Sequence, residues 1–210
     1  MRIRMPVLAA MLCLAVGLPA GAMVVAERGQ SRAVIVVGAD ARPREMLAAE
    51  DLAHYLGAMT GATFEIRHQP ADGPCIYVGH SGATTPILQD LRDRNAPADS
   101  FVIRCKGDQL YLVGSDVDAM AYDFPDEGTC NAVYTFLDEL GCRWYFPGEL
   151  GEVVPRRDRI EIDEQDRFIK PSFWRRGSVW GGDDSTEWMR RNRGILRATF
   201  DPAFRAEGHP

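Results

Sequence analysis

Arg32-Ala33-Val34-Ile35-Val36-Val37-Gly38 runs directly into Ala39-Asp40-Ala41-Arg42-Pro43-Arg44-Glu45-Met46-Leu47-Ala48-Ala49-Glu50-Asp51-Leu52-Ala53-His54-Tyr55-Leu56-Gly57-Ala58-Met59-Thr60-Gly61, and this stretch decides the fold class. Residues 33–37 are apolar without alternation, so a strand built from them buries both faces and belongs near the middle of a sheet. The period then changes. Ala48, Leu52, Tyr55, Leu56 and Met59 recur at helical spacing, Asp40 stands where a cap belongs, Pro43 suits a first turn and Gly61 ends the pattern. A buried strand followed at once by an amphipathic helix is the unit of a layered α/β domain.

Working outward, Thr63 to Arg67 and Cys75 to Gly79 read as strands separated by the turn-rich Gln69-Pro70-Ala71-Asp72-Gly73-Pro74. Thr85-Pro86 opens a second helix with Ile87, Leu88 and Leu91 on its apolar side. Phe101 to Cys105 and Leu110 to Val113 flank a tight turn, which makes them an antiparallel hairpin and the sheet a mixed one. Asp116 to Gly128 has no periodicity and reads as an exposed loop. It precedes a helix carrying Val133, Phe136, Leu137 and Leu140, with Gly141 at its end. Arg143 to Pro147 is an aromatic strand or edge segment, and Ile160 and Ile162 alternate with acids as a short final strand. After Asp166 the character shifts to Phe173, Trp174, Trp180 and Trp188 among arginines and glycines, which places a domain boundary near residue 165.

The first residues bear on compartment. Arg2 and Arg4 precede an apolar run from Val7 to Leu18 that closes in Ala20-Gly21-Ala22, the pattern of a cleavable signal peptide over residues 1–22. The expectation is a secreted or periplasmic protein with no membrane contact after cleavage. Processing removes two basic residues and no acidic one, taking the formal charge from −6 to −8, which argues against nucleic acid as a partner. The basic cluster Arg190, Arg191, Arg193 is the local exception and reads as a solvated helix face or an anion contact. Cys75, Cys105, Cys130 and Cys142 survive processing and leave a disulfide open, but none stands in a Cys-x-x-Cys. No zinc spacing and no cofactor motif is evident.

Conventional catalytic signatures are sparse. Gly79-His80-Ser81-Gly82 has Ala83 where a nucleophile elbow needs glycine, so it reads as a strand-end turn. His54 lies beside the apolar stripe of the first helix and reads as a packed or surface residue. Asp183-Asp184, Asp126 with Glu127, and Glu149 with Glu152 are carboxylate pairs, yet glycoside hydrolysis needs two carboxyl groups flanking one bond, which neighbours in sequence do not readily supply. Aromatics interleaved with arginine over 171–193 suit sugar rings, whose apolar faces stack on aromatics while their hydroxyls bond guanidinium groups. The same residues equally suit the core of a new domain.

The stretch from Ala48 to Gly61, then Ile76-Tyr77-Val78-Gly79, Leu110-Tyr111-Leu112-Val113-Gly114, and Asn131-Ala132-Val133-Tyr134-Thr135-Phe136-Leu137-Asp138-Glu139-Leu140-Gly141-Cys142-Arg143-Trp144 resembles the N-terminal α/β domain preceding the barrel of alpha-glucuronidases, beta-N-acetylhexosaminidases and related bacterial proteins. Pro171-Ser172-Phe173-Trp174-Arg175-Arg176-Gly177 is similar to the entry into the first barrel strand of the hexosaminidases. Where that family continues with an aspartate and a substrate-binding arginine, this chain has Gly181-Gly182-Asp183-Asp184, so hexosamine specificity does not carry over.

The resemblance implies a mixed-sheet α/β domain at 30–165 followed by the truncated start of a (β/α)8 barrel at 166–210, since closing a barrel takes about 250 residues. It implies a non-catalytic portion of a secreted glycoside hydrolase acting on polysaccharide or glycoconjugate, inert alone, with no catalytic residue of its own. Its expected partners are carbohydrate substrate and the remainder of the barrel. Candidate substrate-facing residues are Arg176, Trp180, Asn192, Arg193 and His209. The alternatives are a carbohydrate-binding or structural module, and a receptor domain using the 116–128 loop.

Overall fold

A computed structural model describes residues 22–116, 127–173, 176 and 183–194. Residues 1–21 of the expected signal peptide and the Asp126 position therefore lie outside the described residues. So do Trp180, His209 and most of the expected barrel start.

The strands are β1 (Met23–Glu27), β2 (Gln30–Ser31), β3 (Val34–Val37), β4 (Ile66–Arg67), β5 (Cys75–Val78), β6 (Phe101–Lys106), β7 (Gln109–Gly114), β8 (Arg143–Trp144), β9 (Glu152–Val153), β10 (Arg159–Ile162) and β11 (Gln165–Ile169). The helices are α1 (Pro43–Thr60), α2 (Thr85–Asp93), α3 (Gly128–Glu139) and α4 (Asp183–Arg191). Six strands form the main sheet in the order β11-β6-β7-β5-β3-β4. Within it β4, β3, β5 and β7 run parallel, while β6 and β11 are antiparallel to their neighbours. The mixed sheet expected from the 101–113 hairpin is present.

The unbroken apolar run of β3 has its predicted consequence. Ile35 and Val37 join one buried cluster with Ile76, Val78, Leu110 and Leu112, against Leu52, Tyr55 and Leu56 of α1 and Val133, Phe136 and Leu137 of α3. On the opposite face Val36 packs with Cys75 and Tyr77, and Ile87, Leu88 and Leu91 of α2 cover Val102 and Val113. The result is a sheet between α1 with α3 on one side and α2 on the other. Fully burying each large apolar side chain contributes about 1.5–3 kcal/mol, so the pattern of residues 33–61 commits the chain to this layering.

Several expectations need correcting. The N-cap of α1 is Arg42, not Asp40, because Glu45 at the third helical position accepts the Arg42 backbone N–H at 2.8 Å. The strand expected over 63–67 shortens to Ile66–Arg67, and the aromatic strand after Arg143 shortens to β8, paired with β9. The 159–162 segment is not the last strand and does not join the main sheet. It pairs with β1, a strand whose Met23-Val24-Val25-Ala26 run sits at the edge of the expected signal peptide and was not anticipated from the sequence. A further strand, β11, pairs with β6 from Gln165↔Cys105 to Ile169↔Phe101, so the sheet continues past the boundary expected near residue 165. The loop after β7 is not exposed at its described ends: Glu127 and Gly128 are buried and Asp116 is half-buried.

The described tail is held to the domain. Arg190, Arg191 and Arg193, read from sequence as a solvated helix face or an anion contact, meet carboxylates: Arg190 pairs with Glu127 at 3.3 Å, Arg191 with Glu152 at 3.6 Å, and Arg193 with Asp138 at 3.8 Å. Trp188 packs against the main core and donates its indole N–H to the Trp144 carbonyl at 2.9 Å. Trp188 is thus partly buried against the core. All four described cysteines are free and buried. No described helix is long and apolar enough to cross a membrane.

Candidate functional site

Ligands of open α/β sheets sit outside the carboxyl ends of the parallel strands, at the point where successive connections leave in opposite directions. Here that point lies between β3, whose helix leads to β4 on one side, and β5, whose helix leads toward β6 and β7 on the other. Both strands end in glycine for a steric reason. A Cβ on Gly38 would meet the His80 carbonyl oxygen at 2.3 Å, and one on Gly79, at φ +69°, would meet the Glu45 carboxylate at 2.6 Å. Glycine at both strand ends therefore lets the first turn of α1 and the turn after β5 touch.

That approach brings Glu45 and His80 together across 35 residues of chain. The Glu45 carboxylate is 1 % exposed, accepts the backbone N–H of His80 at 2.8 Å and pairs with the His80 imidazole Nδ1. Burial opposes its charge, but hydrogen bonds from His80 and from the Arg42 backbone outweigh it and hold Glu45 below the usual carboxylate range. Asp116, just past β7, completes the group: one donor atom from each of the three residues lies within 4.8 Å of the others. Asp116 accepts the Thr129 backbone N–H at 2.9 Å and the Thr129 hydroxyl, yet burial still pushes its carboxyl up to about 6. A cavity of about 440 Å³ opens beside His80 and Asp116, bordered by Arg42, Arg92, Asn95 and Ser115.

A second concavity, of about 320 Å³, lies between α1, α4 and the β8–β9 hairpin. Tyr55, Trp144, Phe146 and Trp188 supply aromatic surface, and Glu149, Glu152, Glu187, His54 and Arg191 supply polar groups. The walls are locked from behind. The Trp144 indole N–H donates to the Tyr55 hydroxyl at 3.0 Å, with the two rings edge-on at 5.3 Å, and the Arg191 guanidinium sits 5.7 Å from the Tyr55 ring centroid. Burial raises the Tyr55 hydroxyl well above its ordinary pKa, so it stays neutral. Glu187 and Glu152 both pair with Arg191, at 3.4 and 3.6 Å. Apolar faces with carboxylates at the rim match the alternating apolar and hydroxylated faces of a sugar ring.

Of the substrate-facing residues expected from sequence, three are described, and all three hold the tail in place. Arg176 ion-pairs with Asp99 at 2.9 Å and donates to the Phe173 and Arg193 carbonyls. Asn192 donates to the Trp144 carbonyl at 2.9 Å, and Arg193 adopts a left-handed φ of 59°. None borders either cavity; Glu149 and Glu152, noted in the sequence as an ambiguous pair, border the aromatic one. His54 is exposed and borders it too, and the Gly79–Gly82 segment is the strand-end turn expected of it, with Ser81 bonded to Thr84. Glu45 and Asp116 were missed. The available signal was positional, since each follows the end of a parallel strand.

No family model matches this sequence, and no curated protein does. Among solved structures the chain is similar to a family GH115 4-O-methyl-alpha-glucuronidase with specificity for decorated arabinogalactans. The TM-score is 0.56 at 19% identity, covering 74% of this chain and 19% of that one. The two share a fold across most of the present chain, which spans about a fifth of that enzyme.

Proposed function

We propose that this chain is the non-catalytic α/β portion of a secreted glycoside hydrolase, which supports a catalytic barrel carried by further polypeptide and is inert without it. The observation that carries the reading is the fold shared with part of a much larger glycosidase, a likeness that covers most of this chain and little of that one. An exposed apolar edge supports it: Leu150 is 93% exposed and Tyr145 68%, beside Phe146 and Val153, a surface suited to being covered by a neighbouring body. The signal-peptide pattern of residues 1–22 supports export. Arg176, Trp180, Asn192, Arg193 and His209 remain candidate substrate contacts, and Arg176 and Asn192 also bond the tail to the domain.

Incubating the purified chain with aryl glucuronides and aryl hexosaminides is expected to give no turnover above buffer. Turnover abolished by substituting a residue of this chain would overturn the inert-portion reading. A second reading, carbohydrate binding by the chain itself, is favoured by the aromatic and acidic concavity around Trp144. It predicts that acidic oligosaccharides or arabinogalactan fragments bind the chain and that Phe146→Ala with Glu149→Gln abolishes the binding.

A further inference from the structure

We propose that Glu45, His80 and Asp116 form a binding site for a single divalent transition-metal ion of the zinc type. One imidazole and two carboxylates make a mixed nitrogen and oxygen donor set that suits such an ion. Their donor atoms lie within 4.8 Å of one another, a span that a central ion about 2.1 Å from each donor bridges after small side-chain rotations.

Three independent features of the fold converge on the same spot. Glycines 38 and 79 leave no room for a Cβ, and that close approach is what delivers Glu45 to His80. The spot is the switch point of the sheet, where the chain connections diverge and a crevice is expected. An open cavity of about 440 Å³ borders His80 and Asp116, so an ion can enter and keep water or an anion as its remaining ligand. Arg42 and Arg92 border that cavity and favour an anionic co-ligand.

Helix capping accounts for part of the arrangement, because Glu45 accepts the Arg42 N–H at the start of α1 and Asp116 accepts the Thr129 N–H near the start of α3. Each ionised carboxylate offers about four lone-pair positions, so these bonds leave acceptor capacity for an ion. The capping bonds also hold both carboxylates near the spot, as groups behind metal ligands do elsewhere. Capping alone does not call for His80 beside Glu45.

Isothermal titration of the full 210-residue chain with ZnCl2 tests the site. The expected result is one ion per chain, a rise in thermal midpoint, and affinity lowered at least tenfold in His80→Ala and again in Asp116→Asn. A measurement on the unaltered protein guards against variants that fail to fold: Zn2+ should shield His80 from diethylpyrocarbonate, read by peptide mass spectrometry, while exposed His54 reacts as before. Absence of stoichiometric binding overturns the proposal, as does binding that leaves His80 fully reactive. Neither result touches the glycosidase reading, which rests on other residues.

Discussion

Glu127→Gln is the perturbation with the most to say about how the tail is held. Glu127, near the start of α3, is 8% exposed and its carboxylate faces two guanidinium groups, Arg44 from α1 and Arg190 from α4. Burial, and then the nearby Arg190 charge, already lower the Arg44 pKa. Removing the carboxylate charge leaves two like charges facing each other at a poorly solvated point. Breaking a fully buried pair costs about 3–5 kcal/mol. The Arg44 side chain is 34% exposed, so solvent screening reduces the expected loss here to about 2 kcal/mol. With a urea m-value of about 2 kcal/mol/M, the unfolding midpoint followed by tryptophan fluorescence falls by about 1 M. Hydrogen exchange should quicken across residues 185–191 more than across β5 and β7. Adding Arg190→Met to Glu127→Gln should recover part of the loss, because one of the facing charges is gone. A midpoint within about 0.2 M of the parent, with unchanged exchange in α4, would refute the claim that ion pairs through Glu127 dock the tail.

Other perturbations follow from the same packing. Gly114→Ala should abolish folding, since its Cβ would lie 1.9 Å from the Gly128 carbonyl carbon, and a soluble, cooperatively melting variant would contradict that close approach. Trp144→Ala removes a 5% exposed indole bonded to Tyr55 and edge-on to Tyr134, and should cost about 3–5 kcal/mol in denaturant unfolding. Burial pushes the Cys130 and Cys142 thiols up to about 12, so at pH 8 both stay protonated. Native protein should therefore react slowly with a thiol reagent until denatured, and rapid labelling of either would count against their burial.

The sequence made the layered core legible because that core is written in local periodicity. The run at 34–37 needs two covered faces, and the stripe Leu52, Tyr55, Leu56, Met59 needs one, and both are satisfied in the sheet and α1. The 101–114 hairpin was readable for the same reason, as its turn residues and strand lengths are neighbours in sequence. Strands β1 and β11, and the pairing of β10 with β1, were harder. Met23–Glu27 pairs with Arg159–Ile162 across most of the chain, and Gln165–Ile169 carries the polar composition of an exposed edge. For Arg190, Arg191 and Arg193 the choice between a solvated face and an anion contact stayed open because their acids, Glu127, Glu152 and Asp138, stand far away in sequence. Likewise the Glu45, His80 and Asp116 group exists only through the parallel order of β3, β5 and β7, which no local spacing encodes.

Sequencing the encoding DNA past the codon for Pro210 addresses the functional account most directly. The account predicts that the reading frame continues into alternating strand and helix segments, with Asp or Glu at the carboxyl ends of later strands where a glycosidase barrel keeps its acid and base. A stop codon directly after Pro210 would contradict it and leave the carbohydrate-binding or structural module as the reading to pursue.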